Sequence, residues 1–217
     1  MEPCRIVKED NDIAARLAEF GVRREEVIRI ALASLASRNE SIPFDPKTGK
    51  GLLGYIYGVR ELRNVFVLSA GYQPVSKNNI EAVFDASNGR KIMFQAADCA
   101  CIESQPPKAA SEIGIGKETL IANSVGYLFP EMEAEDRRLE REANEFDKAE
   151  AWYVIVAFGD GKVTCELSRP RAPVNGQFLD FYERIFILGS GGPSASDLLK
   201  LDDDTPPLEI KPAISKK

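Results

Sequence analysis

The sequence predicts an α+β fold, with N-terminal helices packed on a mostly antiparallel sheet. Three observations carry this. Segments of helical periodicity fill the N-terminal third of the 217 residues. Two hairpin signatures follow, at Asn88-Gly89 and Asp160-Gly161. Strands and helices do not alternate as βαβ units require, and no internal repeat is evident. One long acidic helix is expected between the two hairpins. Residues 1–188 read as a single domain, and 189–217 as a flexible, disordered tail rich in Gly, Pro and Asp.

Residues 10–20, DNDIAARLAEF, read as a short helix that Gly21 ends in the left-handed conformation. A second helix follows in RREEVIRIALASLASR, where Val27, Ile28, Ala31, Leu32 and Leu35 recur at helical spacing. The stretch SIPFDPKTGKG, with two prolines and two glycines, interrupts it. LLGYIYGVRELRNVFVL then places Leu52, Ile56, Val59, Leu62 and Phe66 on one face of a third helix, which AGYQP closes.

The hairpins come next. IEAVFDASNGRKIMFQAA predicts strands near 79–86 and 91–97, because an Asn-Gly pair tolerates the positive φ that a two-residue turn demands. WYVIVAFGDGKVTCELS repeats the design around Asp160-Gly161, and ERIFIL, 183–188, adds a further strand. Glu166 and Arg184 are placed as a cross-strand pair. Arg169 and Arg171 flank Pro170, which must end or edge its strand. Between the hairpins, residues 131–150 carry nine acidic and four basic residues, a net −5. Met132, Leu139 and Phe146 recur every seven positions, and Glu133–Arg137, Arg138–Glu142 and Arg141–Glu145 form i,i+4 pairs. This helix is read as a solvated surface or as a docking element for a basic partner.

Composition excludes several chemistries. The net charge of −6 opposes broad binding to a phosphate backbone, which needs clustered Lys and Arg. Histidine is absent, so Ser-His-Asp and Cys-His nucleophile systems, His-ligated zinc and imidazole proton shuttles are impossible within this chain. The cysteines are Cys4, Cys99, Cys101 and Cys165. The close pair, CAC, lacks the two-residue spacing of zinc knuckles and reads as a strand segment with both thiols on one buried face. No apolar run approaches the ~18 residues needed to span a bilayer, and the first residues have no signal-peptide core. We expect a soluble cytoplasmic protein of a bacterial cell that does not engage membranes.

The loops that resemble phosphate grips fail on spacing. In SEIGIGKET, Ser111 stands where a Walker A loop needs its first glycine, and Glu118 where it needs a hydroxyl. In DPKTGKG, Phe44 takes the first glycine's place. GSGGPS reads as a linker, and DLLKL in the tail as a solvated end or a short recognition segment.

Without imidazole, acid–base work falls to carboxylates. A Mg²⁺-dependent nuclease or phosphoesterase would draw on Glu81, Asp85, Asp98, Asp160 and Glu166, with Lys91 or Lys162 as the cation. The E-x-K spacing fails, because Ser168 follows Glu166 by two. A DNA-binding regulator would present Arg23, Arg24 and Arg29 from a helix-turn-helix-like segment, although Glu25 and Glu26 share that face. Arg60 and Arg63, three apart, suit an anion contact or a solvated helix face. The reading preferred over both alternatives is a non-catalytic accessory, regulatory or inhibitory protein-binding module with no cofactor. Its contacts would be Glu133, Arg137, Glu140 and Arg141 on the acidic helix, engaging a partner with a basic surface.

Overall fold

The computed structural model describes residues 3–77, 79–110, 145–159, 162–173 and 176–189. Strand β1 (Arg5–Val7) precedes helices α1 (Asp10–Ala18), α2 (Arg24–Asn39) and α3 (Gly49–Ala70). Strands β2 (Gln73–Lys77), β3 (Ile80–Asp85), β4 (Arg90–Ala97), β5 (Glu150–Gly159), β6 (Lys162–Pro170) and β7 (Phe181–Leu188) follow. They form one sheet in the order β1-β7-β6-β5-β4-β3-β2. The architecture is α+β with a mixed sheet. Four joins are antiparallel, while β1–β7 and β4–β5 are parallel.

The three helices cover one face. Ile13, Leu17, Val27, Ile30, Val59, Leu62 and Phe66 meet alternate strand residues including Ile92, Phe94, Trp152, Val154, Cys165, Leu167 and Ile185 in one apolar cluster. The alternation of a pleated strand sends Met93, Tyr153 and Ile155 to the opposite face, where a second cluster forms with Ala109, Phe146, Phe178 and Phe181. Central β5 is apolar along AWYVIVAF because both of its faces are covered. Among the described residues no helix is long and apolar enough to cross a membrane.

Gly21 and Gly71 adopt φ +72 after α1 and α3, the left-handed termini that their lack of Cβ permits. Other local expectations are corrected. Asn88 is not in a positive-φ conformation; residues 86–89 form a four-residue loop in which only Gly89 is left-handed. The Asp85 side chain sets this loop by accepting the Ser87 N–H at 3.0 Å. The acidic helix does not extend to 150: residues 145–148 are helical, and Glu150 opens β5. The expected helix over 131–144, the Ser111–Thr119 loop, the turn residues Asp160 and Gly161, and the tail from 190 lie outside the described residues. Of AGYQP, expected only to close the third helix, Gln73 and Pro74 open edge strand β2, which is paired along its whole length with β3.

The face of α3 is also corrected. Val59, Leu62 and Phe66 are buried, whereas Leu52 and Ile56 are 57% and 41% exposed. Over its first turns the buried positions are Gly54 and Gly58. A Cβ on Gly54 would stand 2.7 Å from Arg38 Cγ, and one on Gly58 2.6 Å from the Phe94 ring. Two glycines four apart thus let α3 approach α2 and β4 closely. Ser34 Oγ fills the α2 contact, donating to Gly54 O at 2.8 Å.

Gly58→Ala should lower stability by about 1–2 kcal/mol. Displacing a buried ring costs about 1–3 kcal/mol, which exceeds the roughly 0.8–1 kcal/mol of helix propensity gained. Gly51→Ala, with no atom within 4 Å of the new Cβ, should instead stabilise by up to about 1 kcal/mol. Chemical denaturation of the two variants beside the parent checks both signs.

Candidate functional site

The described sequence-named carboxylates lie on β3 (Glu81 and Asp85), just past β4 (Asp98) and on β6 (Glu166), and most are committed to structural partners. Glu81 on β3 pairs with Arg63 of α3 and accepts Ser76 Oγ at 2.6 Å. Partial burial opposes ionisation of Asp85, but hydrogen bonds from Ser87 and Asn88 prevail and hold its carboxyl below the usual range. Asp98, just past β4, accepts the Lys108 N–H at 2.8 Å and fixes the returning loop. Glu166 on β6 pairs with Arg184 of β7. Asp160 lies outside the described residues. Among the described residues, no three Cys, Asp or Glu side chains gather where they could hold a metal ion. Of the nuclease set, Asp98 and Lys162 do share a surface: an open cleft of about 400 Å³ with Cys99, Ile102, Phe158 and Thr164, at the ends of β4 and β5.

Lys91 is not a solvent-facing cation. It is fully buried and donates to Phe146 O at 3.0 Å and Asp147 O at 2.8 Å. Burial drives its amine down to about 8, although the Asp147 carboxylate acts the other way. The arginines of the helix-turn-helix-like segment are paired internally: Arg23 with Glu26 at 3.6 Å, Arg24 with Asp10 at 2.6 Å and Arg29 with Glu61 at 2.6 Å. Helix α2, which Arg23 precedes and which carries the other two, packs beside α3 and against β5, β6 and β7.

The buried polar centre is the Glu166–Arg184 pair. Arg184 Nε and Nη2 reach the Glu166 carboxylate at 2.9 and 2.8 Å, with side chains 3% and 0% exposed. Register places Ser168 opposite Arg184, so the pair is diagonal across β6 and β7. Glu166 also accepts the Cys101 N–H at 2.6 Å and Ser168 Oγ at 2.8 Å. Arg184 donates to Ile102 O at 2.8 Å. The cysteine expectation is corrected here: Cys99 and Cys101 lie beyond β4 in this tethered loop, and Cys101 has φ +59. Burial, then the Glu166 charge, pushes the Cys101 thiol up to about 12. Burial and its bond with Asp98 push Cys99 up to about 11. Thiols held protonated in this way are poor nucleophiles.

The outward-facing feature is at the α2–α3 corner. Of seven large hydrophobic side chains exposed among the described residues, four lie between 42 and 56: Ile42 (56%), Phe44 (95%), Leu52 and Ile56. A short turn presents Phe44. The Ile42 N–H donates to Asp45 Oδ2 at 2.9 Å, and the Asp45 N–H to Ile42 O at 3.0 Å. Ile56 continues into a groove of about 500 Å³ between α3 and β3, lined by Tyr55, Val59, Arg60, Arg63, Asn64 and Glu81. This corner was missed in the sequence because Leu52 and Ile56 were assigned to the core. The Gly54–Gly58 spacing was the signal available. Glu133, Arg137, Glu140 and Arg141, the expected partner contacts, lie outside the described residues.

No family model matches this chain, and no significant match exists among curated proteins or solved structures.

Two measurements test the buried polar groups. Glu166→Gln leaves Arg184 buried without its counter-charge and should cost about 3–5 kcal/mol. Combined with Arg184→Met it should cost less than the sum of the single changes, as a double-mutant cycle would read. For Lys91, burial lowers the folded pKa from 10.5 to about 8. Between those values the unfolded chain keeps a proton that the folded chain has released, so stability from this group rises with pH across that window. Lys91→Met should flatten the rise in denaturant midpoints over the same range. An equally steep rise in both proteins would place the amine in water.

Proposed function

We propose that this chain is a non-catalytic accessory, regulatory or inhibitory module that binds another protein through its α2–α3 corner. The observation that carries the reading is the group Ile42, Phe44, Leu52 and Ile56, four large apolar side chains held outward on one turn and the helix beside it. Water around such a group is released when a partner covers it, and clustered exposure marks interaction surfaces where isolated apolar residues do not. Phe44, the most exposed of the four at 95%, offers the largest apolar area for a partner to cover.

The chemistry of the interior supports a binding role over a catalytic one. Glu81, Asp85 and Glu166 are engaged by structural donors, Lys91 is turned inward, and Cys99 and Cys101 are held as thiols. The chain has no imidazole to replace them. A hydrolase would need acidic groups converging on open space, and the described carboxylates named from the sequence lie apart, on β3, in the loop after β4 and on β6.

The test is site-specific photo-crosslinking in the cells that make this protein. A photoreactive residue at position 44 should yield a discrete adduct that disappears when Leu52→Asp is added. The same residue at position 179, exposed but remote in sequence from the corner, should not yield it. Identical adducts from both positions would remove the α2–α3 corner as the docking surface.

A further inference from the structure

The described arginines divide in a way that bears on what covers this corner. Ten of the twelve have a carboxylate within ion-pair distance. The two without one are Arg38 and Arg60, and both border the first turns of α3. The Arg38 side chain lies against Gly54, with its guanidinium 4.1 Å from the Phe158 ring centroid. Arg60 lines the groove beside Ile56 and stacks over Tyr57 at 4.3 Å. Lys47 and Lys50, both exposed, stand between them in sequence, and neither has a carboxylate within ion-pair distance.

Residues 38–60 therefore hold Arg38, Lys47, Lys50 and Arg60 against Glu40 and Asp45, while the whole chain is at −6. Asp45 is occupied by the Ile42 N–H. Cations that have no carboxylate partner of their own, set beside exposed apolar groups, are open to a carboxylate supplied from outside. A guanidinium recognises a carboxylate with paired, directional bonds, which adds specificity to an apolar contact. Complementary charge at the rim steers association and selects partners more than it adds affinity.

We infer that the occupant of the α2–α3 corner is an acidic, apolar segment of another protein. Its Leu, Ile or Phe side chains cover Phe44, Leu52 and Ile56, and its carboxylates meet Arg60, Lys47 and Lys50. This rests on the docking reading above. A nucleic acid would use the same cations, but it calls for aromatic platforms interleaved with them. Here three of the four exposed apolar groups are aliphatic.

The experiment is selection of a random phage-displayed peptide library on the full-length chain, with Phe44→Asp as the counter-selection. Phe44-dependent peptides should be enriched in Asp and Glu beside Leu, Ile or Phe. Their affinity should fall with added salt, and by about tenfold or more when Lys47→Glu, Lys50→Glu and Arg60→Glu are combined. The milder set Lys47→Gln, Lys50→Gln and Arg60→Gln should give a smaller loss in the same direction, with circular dichroism reporting that the fold is kept. Phe44-dependent peptides that are neutral or basic would overturn the inference and leave the docking surface standing. A library with no Phe44-dependent binder would overturn both. Oligo-dT binding that Arg60→Gln weakens, with no acidic peptide selected, would overturn the inference in favour of nucleic acid.

Discussion

Two charges taken out of water on adjacent strands govern the sheet face that the helices leave open. Glu166 and Arg184 are both buried, and neither tolerates an unmet hydrogen-bonding atom there. Their mutual bonds satisfy part of each. The remainder is met by Ser168 Oγ on β6 and by the loop after β4, through the Cys101 N–H and the Ile102 carbonyl. That requirement fixes where the chain goes when it leaves β4, and the left-handed Cys101 is part of the path. The same loop returns antiparallel to the end of β4 through the Ala97–Ala109 bridge and delivers Ala109 to the second apolar cluster. A salt bridge of this kind contributes little net stability relative to apolar residues of similar shape. Its consequence is positional: it makes one route for the loop far better than any other.

The helical face works by a different device, close approach. Gly54 and Gly58 remove side chains where α3 meets α2 and the Phe94 ring, and Ser34 and Ser37 supply hydroxyls to the α3 carbonyls at 2.8 and 3.2 Å. Tight contact on this side rotates the larger residues of the first turns, Leu52 and Ile56, outward. The exposed corner is thus a result of the packing that fixes α3, and it lies beside the turn that holds Phe44 out. Core construction and surface presentation are two sides of one helix.

Polar side chains across the described residues are largely spent on holding the molecule together. Arg16 joins α1 to Glu183 of β7 at 2.9 Å, Arg24 reaches the Ile187 carbonyl at 2.8 Å, and Arg29 ties α2 to α3. Lys91 secures the turn at 146–147 against β4. Among the described arginines, the two without a carboxylate partner, Arg38 and Arg60, flank the first turns of α3, where Leu52 and Ile56 are exposed.

Much of the framework was legible one segment at a time. The hairpin strands follow from β-prone runs interrupted by turn residues, the helix ends from Gly21 and Gly71, and the Glu166–Arg184 pair from locating β6 and β7. These are preferences expressed within a few residues, so neighbouring residues suffice to read them. The absence of histidine likewise removed whole chemistries without any coordinates. What the order of letters did not reveal is which partner each segment meets. Strands β1 and β2 are short and weakly apolar, and they exist because β7 and β3 offer them hydrogen bonds. The parallel β4–β5 join depends on where the chain re-enters the sheet at Glu150, and the parallel β1–β7 join on segments at opposite ends of the sheet-forming sequence. The outward turn of Leu52 and Ile56 depends on glycines that have no hydropathy to read. Local propensity is written in sequence neighbours, whereas register, burial and exposure are settled by groups far apart along the chain, and those only the tertiary structure brings together.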